Sequence, residues 1–305
     1  MTQISMSQFN KANKTIVIPL PHYDFDPTEV AIPWKILTEN GVHVLFSTPD
    51  GKAAQADGMM LSGEGLDPWG WIPFIKKLRL VGLMLRADKN ARKAYQALLL
   101  DPYFQTPCKY EDLKVENFDG LLLPGGHAPK MKPYLESERL QSFVANFFEH
   151  KNANGQHKPI AAICHGVLLA ARAISNSTQK SVLYGKKTTA LTWKLENSAW
   201  KLTKYFARFW DSNYYRTYIE KPNEPKAFWS VEQEIKRALK NEHDFLDVPK
   251  NTPNFFLKTS GIARDTINNS KPAWVVQDGN YLSARWPGDA HTLASEFAAI
   301  INHET

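Results

Sequence analysis

The chain has 305 residues, 43% of them hydrophobic, with 37 Lys and Arg against 31 Asp and Glu for a net charge of +6. That is long and apolar enough for a large buried core, and its two cysteines, Cys108 and Cys164, exclude a disulfide framework and fit a reducing, cytoplasmic setting. The basic residues are scattered with no compact basic-aromatic motif, which argues against nucleic acid, and no apolar run approaches a membrane span. Met1–Thr15 is polar, so no secretory leader is expected.

Thr15–Leu20 reads as a first, central strand and His22–Phe25 as a loop. Asp26-Pro-Thr-Glu29 then opens a helix, with Asp26 as N-cap, Pro27 at N1 and Glu29 at N3. The helix runs to about Asn40 and stops at Gly41; Pro33 is expected to kink it or tighten its first turn. Val42–Ser47 is a second strand, and strand–helix–strand implies a right-handed crossover and a parallel pair. Residues 52–117 read as an insertion over the sheet edge, carrying a helix over Asp88–Leu100 capped by Asp88. Asp119–Leu123 is a strand ending in the glycine turn Pro124-Gly-Gly-His127. Leu140, Phe143, Val144, Phe147 and Phe148 mark an amphipathic helix over Glu136–His150. Pro159–Ile163 is a buried strand, and Lys187–Leu191 another, with Glu196 just beyond its carboxyl end.

Residues 200–270 read as a second insertion. It is crowded with aromatics from Trp200 to Tyr218, taken as core and interface packing rather than a ligand box, and Val231–Lys240 is a helix within it. Trp274–Val276 and Tyr281–Ala284 form a hairpin about Asp278-Gly-Asn280, and Ala290–Ile301 is a closing helix. The alternation predicts an α/β fold: an open, mostly parallel sheet with helices on both faces, in one domain spanning 1–305 with insertions at about 52–117 and 200–270.

The chemistry concentrates at Cys164-His165. A buried strand precedes them, and Gly166 and the helical run Val167–Ala173 follow, so the pair sits on a tight strand-to-helix turn of the nucleophile-elbow kind. The following helix presents free N–H groups to the turn, which favours thiolate over thiol; the plain alternative is a buried structural cysteine. His22, Glu29, Gly125, Gly126, His127, Cys164, His165 and Glu196 all follow predicted strands. Ligands collect at that edge of open parallel sheets.

These residues carry a resemblance. Glu29-Val-Ala-Ile-Pro33, Pro124-Gly-Gly-His127, the elbow Ala161–Gly166, Glu196 and Pro287-Gly-Asp-Ala-His291, in that order, resemble the ThiJ/PfpI superfamily. Its fold is flavodoxin-like and related to class I glutamine amidotransferases. The branch most similar is that of the glutathione-independent glyoxalases, also described as chaperones and deglycases. The resemblance implies Cys164 as nucleophile, His165 as base oriented by Glu196, and Glu29 exchanging protons with the sulfur. The N–H groups of Gly126 and His165 fit an oxyanion hole, and His22, Gly125, His127 and His291 are pocket candidates. Some relatives bind zinc, but His22 and His127 are not a complete site, so neither metal nor cofactor is expected. The implied activity converts methylglyoxal or a similar 2-oxoaldehyde to a 2-hydroxy acid through a hemithioacetal on Cys164. The alternatives are a cysteine amidase or peptidase with a Cys164-His165-Glu196 triad, and a stress chaperone or deglycase. The expected partner is a small aldehyde, with a homodimer as a further expectation.

Overall fold

A computed structural model describes residues 14–152 and 154–303; the expectation about a leader lies outside the described residues. Among the described residues nine strands form two sheets: β1 (Thr15–Pro19), β2 (Tyr23–Phe25), β3 (His43–Thr48), β4 (Gln55–Ala56), β5 (Cys108–Lys109), β6 (Gly120–Leu123), β7 (Ile160–Ile163), β8 (Val275–Asp278) and β9 (Tyr281–Ala284). The larger sheet has the order β5-β3-β1-β6-β7-β9-β8, parallel throughout except for the β8–β9 hairpin. The inner run β3-β1-β6-β7-β9 has the flavodoxin-like strand order. Every residue of β6 and β7 is fully buried, as expected of strands covered on both faces.

Seven principal helices accompany them: α1 (Pro27–Glu39), α2 (Lys89–Leu98), α3 (Glu138–Glu149), α4 (His165–Arg172), α5 (Trp193–Phe206), α6 (Val231–Ala238) and α7 (Ala290–His303). α1 packs with α2 and α7, and α4 with α3 and α6, so two helical layers enclose the sheet. No helix among the described residues is long and apolar enough to cross a membrane.

Two expectations need correction. Lys187–Leu191 is not a strand, because β8 already occupies the free edge of β9. Thr188 makes only an isolated bridge to Phe245, and Thr189 N–H donates to Ser283 Oγ at 2.9 Å. His22–Phe25 is not all loop: its last three residues, β2, pair with β4 in a two-stranded sheet within reach of the first insertion. The helix around Pro33 continues unbroken to Glu39, although proline offers no N–H to the Glu29 carbonyl.

Candidate active site

Three chain segments meet at the carboxyl edge of β1, β6 and β7. The first is the start of α1. Asp26 caps it, its Oδ1 accepting from the N–H groups of Thr28 and Glu29 at 2.7 and 3.1 Å. This frees the Glu29 carboxyl from a capping box, and it turns inward instead, where Oε2 accepts from Gly125 N–H at 2.8 Å. The second segment is the turn after β6. A Cβ on Gly125 would lie 2.6 Å from His165 N and 2.9 Å from Glu29 Oε2, so only glycine lets the turn pass between acid and elbow.

The third is the elbow. Cys164 sits between β7 and α4 with φ 57° and ψ −123°, a conformation that strains any residue with a Cβ. Such strain persists only where packing holds it. Here Gly166 fits against the carbonyl of Leu123, where a Cβ would come within 2.0 Å. Gly166 therefore serves the close approach of α4 to β6 rather than the chain reversal.

The result is a buried reactive group. His165 Nδ1 stands 3.4 Å from Cys164 Sγ. His165 Nε2 stands 3.0 Å from Thr217 Oγ1, whose own proton goes to the His127 carbonyl at 2.7 Å. Thr217 can therefore only accept from the histidine. That places the imidazole proton on Nε2 and aims the Nδ1 lone pair at the sulfur. Burial, with the charges of Arg172 and Arg216, lowers the His165 pKa to about 3, so the ring is neutral.

Burial, then the neighbouring Asp26 carboxyl, holds Glu29 well above the usual carboxylate range. Burial, then Glu29 and Asp26, also pushes the Cys164 thiol well up, outweighing the backbone N–H of His165 directed at the sulfur. The resting thiol is thus protonated, contrary to the expectation from the helix N-terminus alone. Asp26 and Glu29, two buried carboxyls facing each other, titrate as a pair. Glu29 lies near enough to the Cys164 thiol for each to shift the other's titration, although Oε1 has no aligned hydrogen bond among the described residues.

A cavity of about 320 Å³ opens onto this group. Its walls join the sheet edge to both insertions: Met60, Met84 and Leu85 from the first, Leu202, Tyr215 and residues 259–262 from the second. His127 lines it, stacked on Tyr215 at 4.1 Å and 8°, and its Nε2 has no hydrogen-bond partner among the described residues. The Gly126 N–H finds no protein acceptor among the described residues, while Gly125 N–H is taken by Glu29.

Residues 20–230 match the family model described as ThiJ/PfpI family-like. The chain belongs to the ThiJ/PfpI family. An uncharacterized protein of Schizosaccharomyces pombe is 28% identical to it over 166 residues, 54% of this chain and 56% of that protein. Protein DJ-1 homolog D of Arabidopsis thaliana is 33% identical over 27% of this chain and 19% of its own length. The chain thus aligns with little more than half, or less, of these curated relatives. Among solved structures, glyoxalase III of Candida albicans superposes with a TM-score of 0.54 at 14% identity, over 94% of this chain and 96% of the other. Rapid Encystment Protein 24 KDa of Francisella tularensis gives 0.54 at 14%, over 94% and 99%. At such identities the likeness is one of fold.

In this ThiJ/PfpI chain the anticipated residues divide. Glu29, Gly126, His127, Cys164 and Glu196 line the cavity, and His165 stands behind the sulfur. His22 is half-exposed and paired with Asp50 at 3.2 Å, and His291 binds Asp265 at 3.2 Å; neither lines the cavity. Among the described residues no metal-binding cluster is found. Glu196 is not the partner of His165. It lies in the first turn of α5, where Oε1 is 2.9 Å from Arg216 Nε and Oε2 accepts from Val231 N–H at 3.1 Å. Thr217, from the aromatic insertion, occupies the position behind the histidine. Those aromatics also divide: Tyr214 is buried and Tyr215 half-buried, and Trp193 and Trp200 flank the Arg216 guanidinium at 5.0 Å each, but Tyr205, Phe206 and Phe209 face solvent.

Burial raises Glu196 to about 7 against the pull of Arg216, which Glu220 shares at 2.7 Å. Between its ordinary value near 4.5 and about 7 the folded protein holds the proton more tightly than the unfolded chain. Stability from this group is therefore full below pH 4.5 and lost as pH rises to 7, at up to about 1.4 kcal/mol per pH unit. Glu196→Gln should flatten that slope, whatever constant offset follows from the lost ion pair. Denaturant titrations across this range check it; an unchanged slope would show that Glu196 is already ionised at low pH.

Proposed function

We propose that this protein is a cysteine-dependent, glutathione-independent glyoxalase-type enzyme, converting methylglyoxal or a similar 2-oxoaldehyde to the 2-hydroxy acid. The observation that carries this reading is the buried carboxyl of Glu29 placed against the Cys164 sulfur at the floor of a mostly apolar cavity. A hydrolase has no use for an acid there, whereas an aldehyde isomerase needs a group that both gives and takes a proton at the carbon bound to sulfur.

In this reading Sγ adds to the aldehyde carbon C1 as its proton leaves for Glu29 or His165 Nδ1, and the C1 oxygen is protonated to give a hemithioacetal. Gly126 N–H and the His127 ring serve the substrate oxygens. Glu29 as carboxylate then takes the C1 proton to form an enediolate and returns that proton to C2, while the C1 hydroxyl gives up its proton to the C2 oxygen. This leaves a 2-hydroxy thioester on Cys164. Water cleaves the C1–S bond, restoring the thiol and releasing the acid. Aldehyde carbon is oxidised and ketone carbon reduced within one molecule, so the step balances with water alone.

The Thr217–His165 arrangement supports the same reading over a Cys-His-Glu triad, because the group behind the histidine is a hydroxyl. Thr217→Val keeps the shape but strands the buried Nε2–H. The expected outcome is a roughly 10-fold loss of kcat, the worth of one such hydrogen bond, with Thr217→Ser close to wild type. Equal activity of the Val and Ser variants would remove Thr217 from the account. The activity itself is tested by supplying methylglyoxal without glutathione and measuring D-lactate, beside a generic amide substrate. Amide cleavage with no lactate would favour the hydrolase.

A further inference from the structure

Arg172, Arg208, Arg216 and Arg285 each pair with a carboxylate. Arg264, in the cavity wall, pairs with none among the described residues. One of its nitrogens, Nη2, makes long bonds to the carbonyls of Leu85 and Arg86 at 3.3 and 3.4 Å, and the guanidinium lies 5.5 Å from the Trp286 ring. Nε and Nη1 find no protein acceptor among the described residues. Asp26 is near enough to feel the charge, but its Oδ1 is committed to the start of α1. Arg264 attracts the Asp26 carboxyl from beyond ion-pair distance, and Glu196 faces Arg216, so the Arg264 fork keeps donors free toward the cavity. Lys194, exposed on α5, adds a second cation at the same cavity. At about 320 Å³ the space falls in the range of sites that enclose ligands larger than three-carbon methylglyoxal.

We propose that the cavity selects 2-oxoaldehydes bearing an anionic tail, carboxylate or phosphate, which the planar donor fork of Arg264 receives while the aldehyde head reaches Cys164. The chemistry of the head rests on the glyoxalase-type reading; the anion site does not. The head reacts as before, R–CO–CHO and water giving R–CHOH–COO⁻ and a proton, so a carboxylate-tailed five-carbon substrate yields 2-hydroxyglutarate.

The test compares wild type with Arg264→Gln on methylglyoxal, on 4,5-dioxopentanoate and on 3-phosphooxy-2-oxopropanal, the last two separating a carboxylate from a phosphate tail. Wild type should favour at least one anionic substrate by about 10-fold or more in kcat/KM. Arg264→Gln should lower that preference by about 10- to 100-fold, the usual result of removing a charged hydrogen-bonding partner. A parallel readout needs no turnover: 2-oxoglutarate or inorganic phosphate should slow iodoacetamide labelling of Cys164, read by peptide mass spectrometry, in wild type and not in Arg264→Gln. Protection without turnover of any aldehyde would sink the glyoxalase-type reading and keep the anion site. Lactate from methylglyoxal, with neither anionic preference nor protection, would overturn the anion site alone. An equal loss on all three substrates in Arg264→Gln would also overturn it, because the arginine would then serve the fold rather than the tail.

Discussion

Cys164→Ala abolishes turnover of any 2-oxoaldehyde, by about 10⁴-fold or more, and leaves the protein folded. The loss is expected to be complete because the mechanism makes and breaks its covalent bond at this sulfur. The other thiol cannot substitute: Cys108 Sγ points at the Phe46 carbonyl, 3.4 Å away at the far edge strand, and burial raises it to about 11. The fold survives because a smaller side chain fits the same turn. The backbone adds a second signature. At φ 57° and ψ −123° both Cys and Ala pay for their Cβ, and Gly does not. Cys164→Gly should therefore be more stable than Cys164→Ala by about 1 kcal/mol in denaturant unfolding, the opposite of the order at an ordinary buried position. Residual turnover in either variant would place the nucleophile elsewhere.

Glu29→Gln should lower kcat by roughly 10²–10⁴, the span of a positioned general acid–base. Gln keeps the volume and its oxygen still accepts from Gly125 N–H, but it cannot carry a proton between C1 and C2. Stability should move the other way. The folded-state pKa of Glu29 lies well above 4.5, so this group costs nothing at low pH and destabilises the fold increasingly as pH rises through that value. Gln removes the penalty. Its Tm should match wild type below about pH 4 and equal or exceed it at neutrality, a gain in stability bought with activity. Glu196→Gln, by contrast, should leave most aldehyde turnover, because that carboxyl faces Arg216 and the start of α6 rather than the histidine. The opposite ranking would fit a hydrolase.

The elbow was readable because its ingredients are local. A buried apolar strand, a cysteine, a glycine and an apolar helix follow one another within about a dozen residues, and only one geometry satisfies them. Glu29 was readable for a similar reason, lying one turn into a well-capped helix, although its escape from the capping box depends on Gly125, 96 residues away. What lay hidden is contributed from a distance by segments without periodicity. Thr217 reaches His165 from 52 positions later, out of an aromatic stretch whose pattern marks neither helix nor strand. No local rule distinguishes it from Thr203, which merely bonds its own helix at 3.0 Å. Arg216 captures Glu196 from the same stretch, and its carboxyl therefore misses the histidine. His22 follows a strand as anticipated, and His291 lies in the matched Pro287–His291 segment, but Asp50 and Asp265 hold them at 3.2 Å each and neither histidine lines the cavity. The supposed strand at Lys187–Leu191 shows the same limit: whether an apolar run pairs depends on whether an edge is open, and the hairpin of β8 and β9 had closed this one.

The central claim is that one buried pair, Cys164 with Glu29, isomerises an aldehyde without help from another thiol. The most direct test is 2-hydroxy acid formation from methylglyoxal in thiol-free buffer, followed side by side for wild type, Cys164→Ala and Glu29→Gln, each first shown to be folded. The account predicts lactate from wild type, none above the uncatalysed rate from Cys164→Ala, and a loss of 10²-fold or more for Glu29→Gln. Lactate formed at the wild-type rate by a folded Glu29→Gln protein would contradict it.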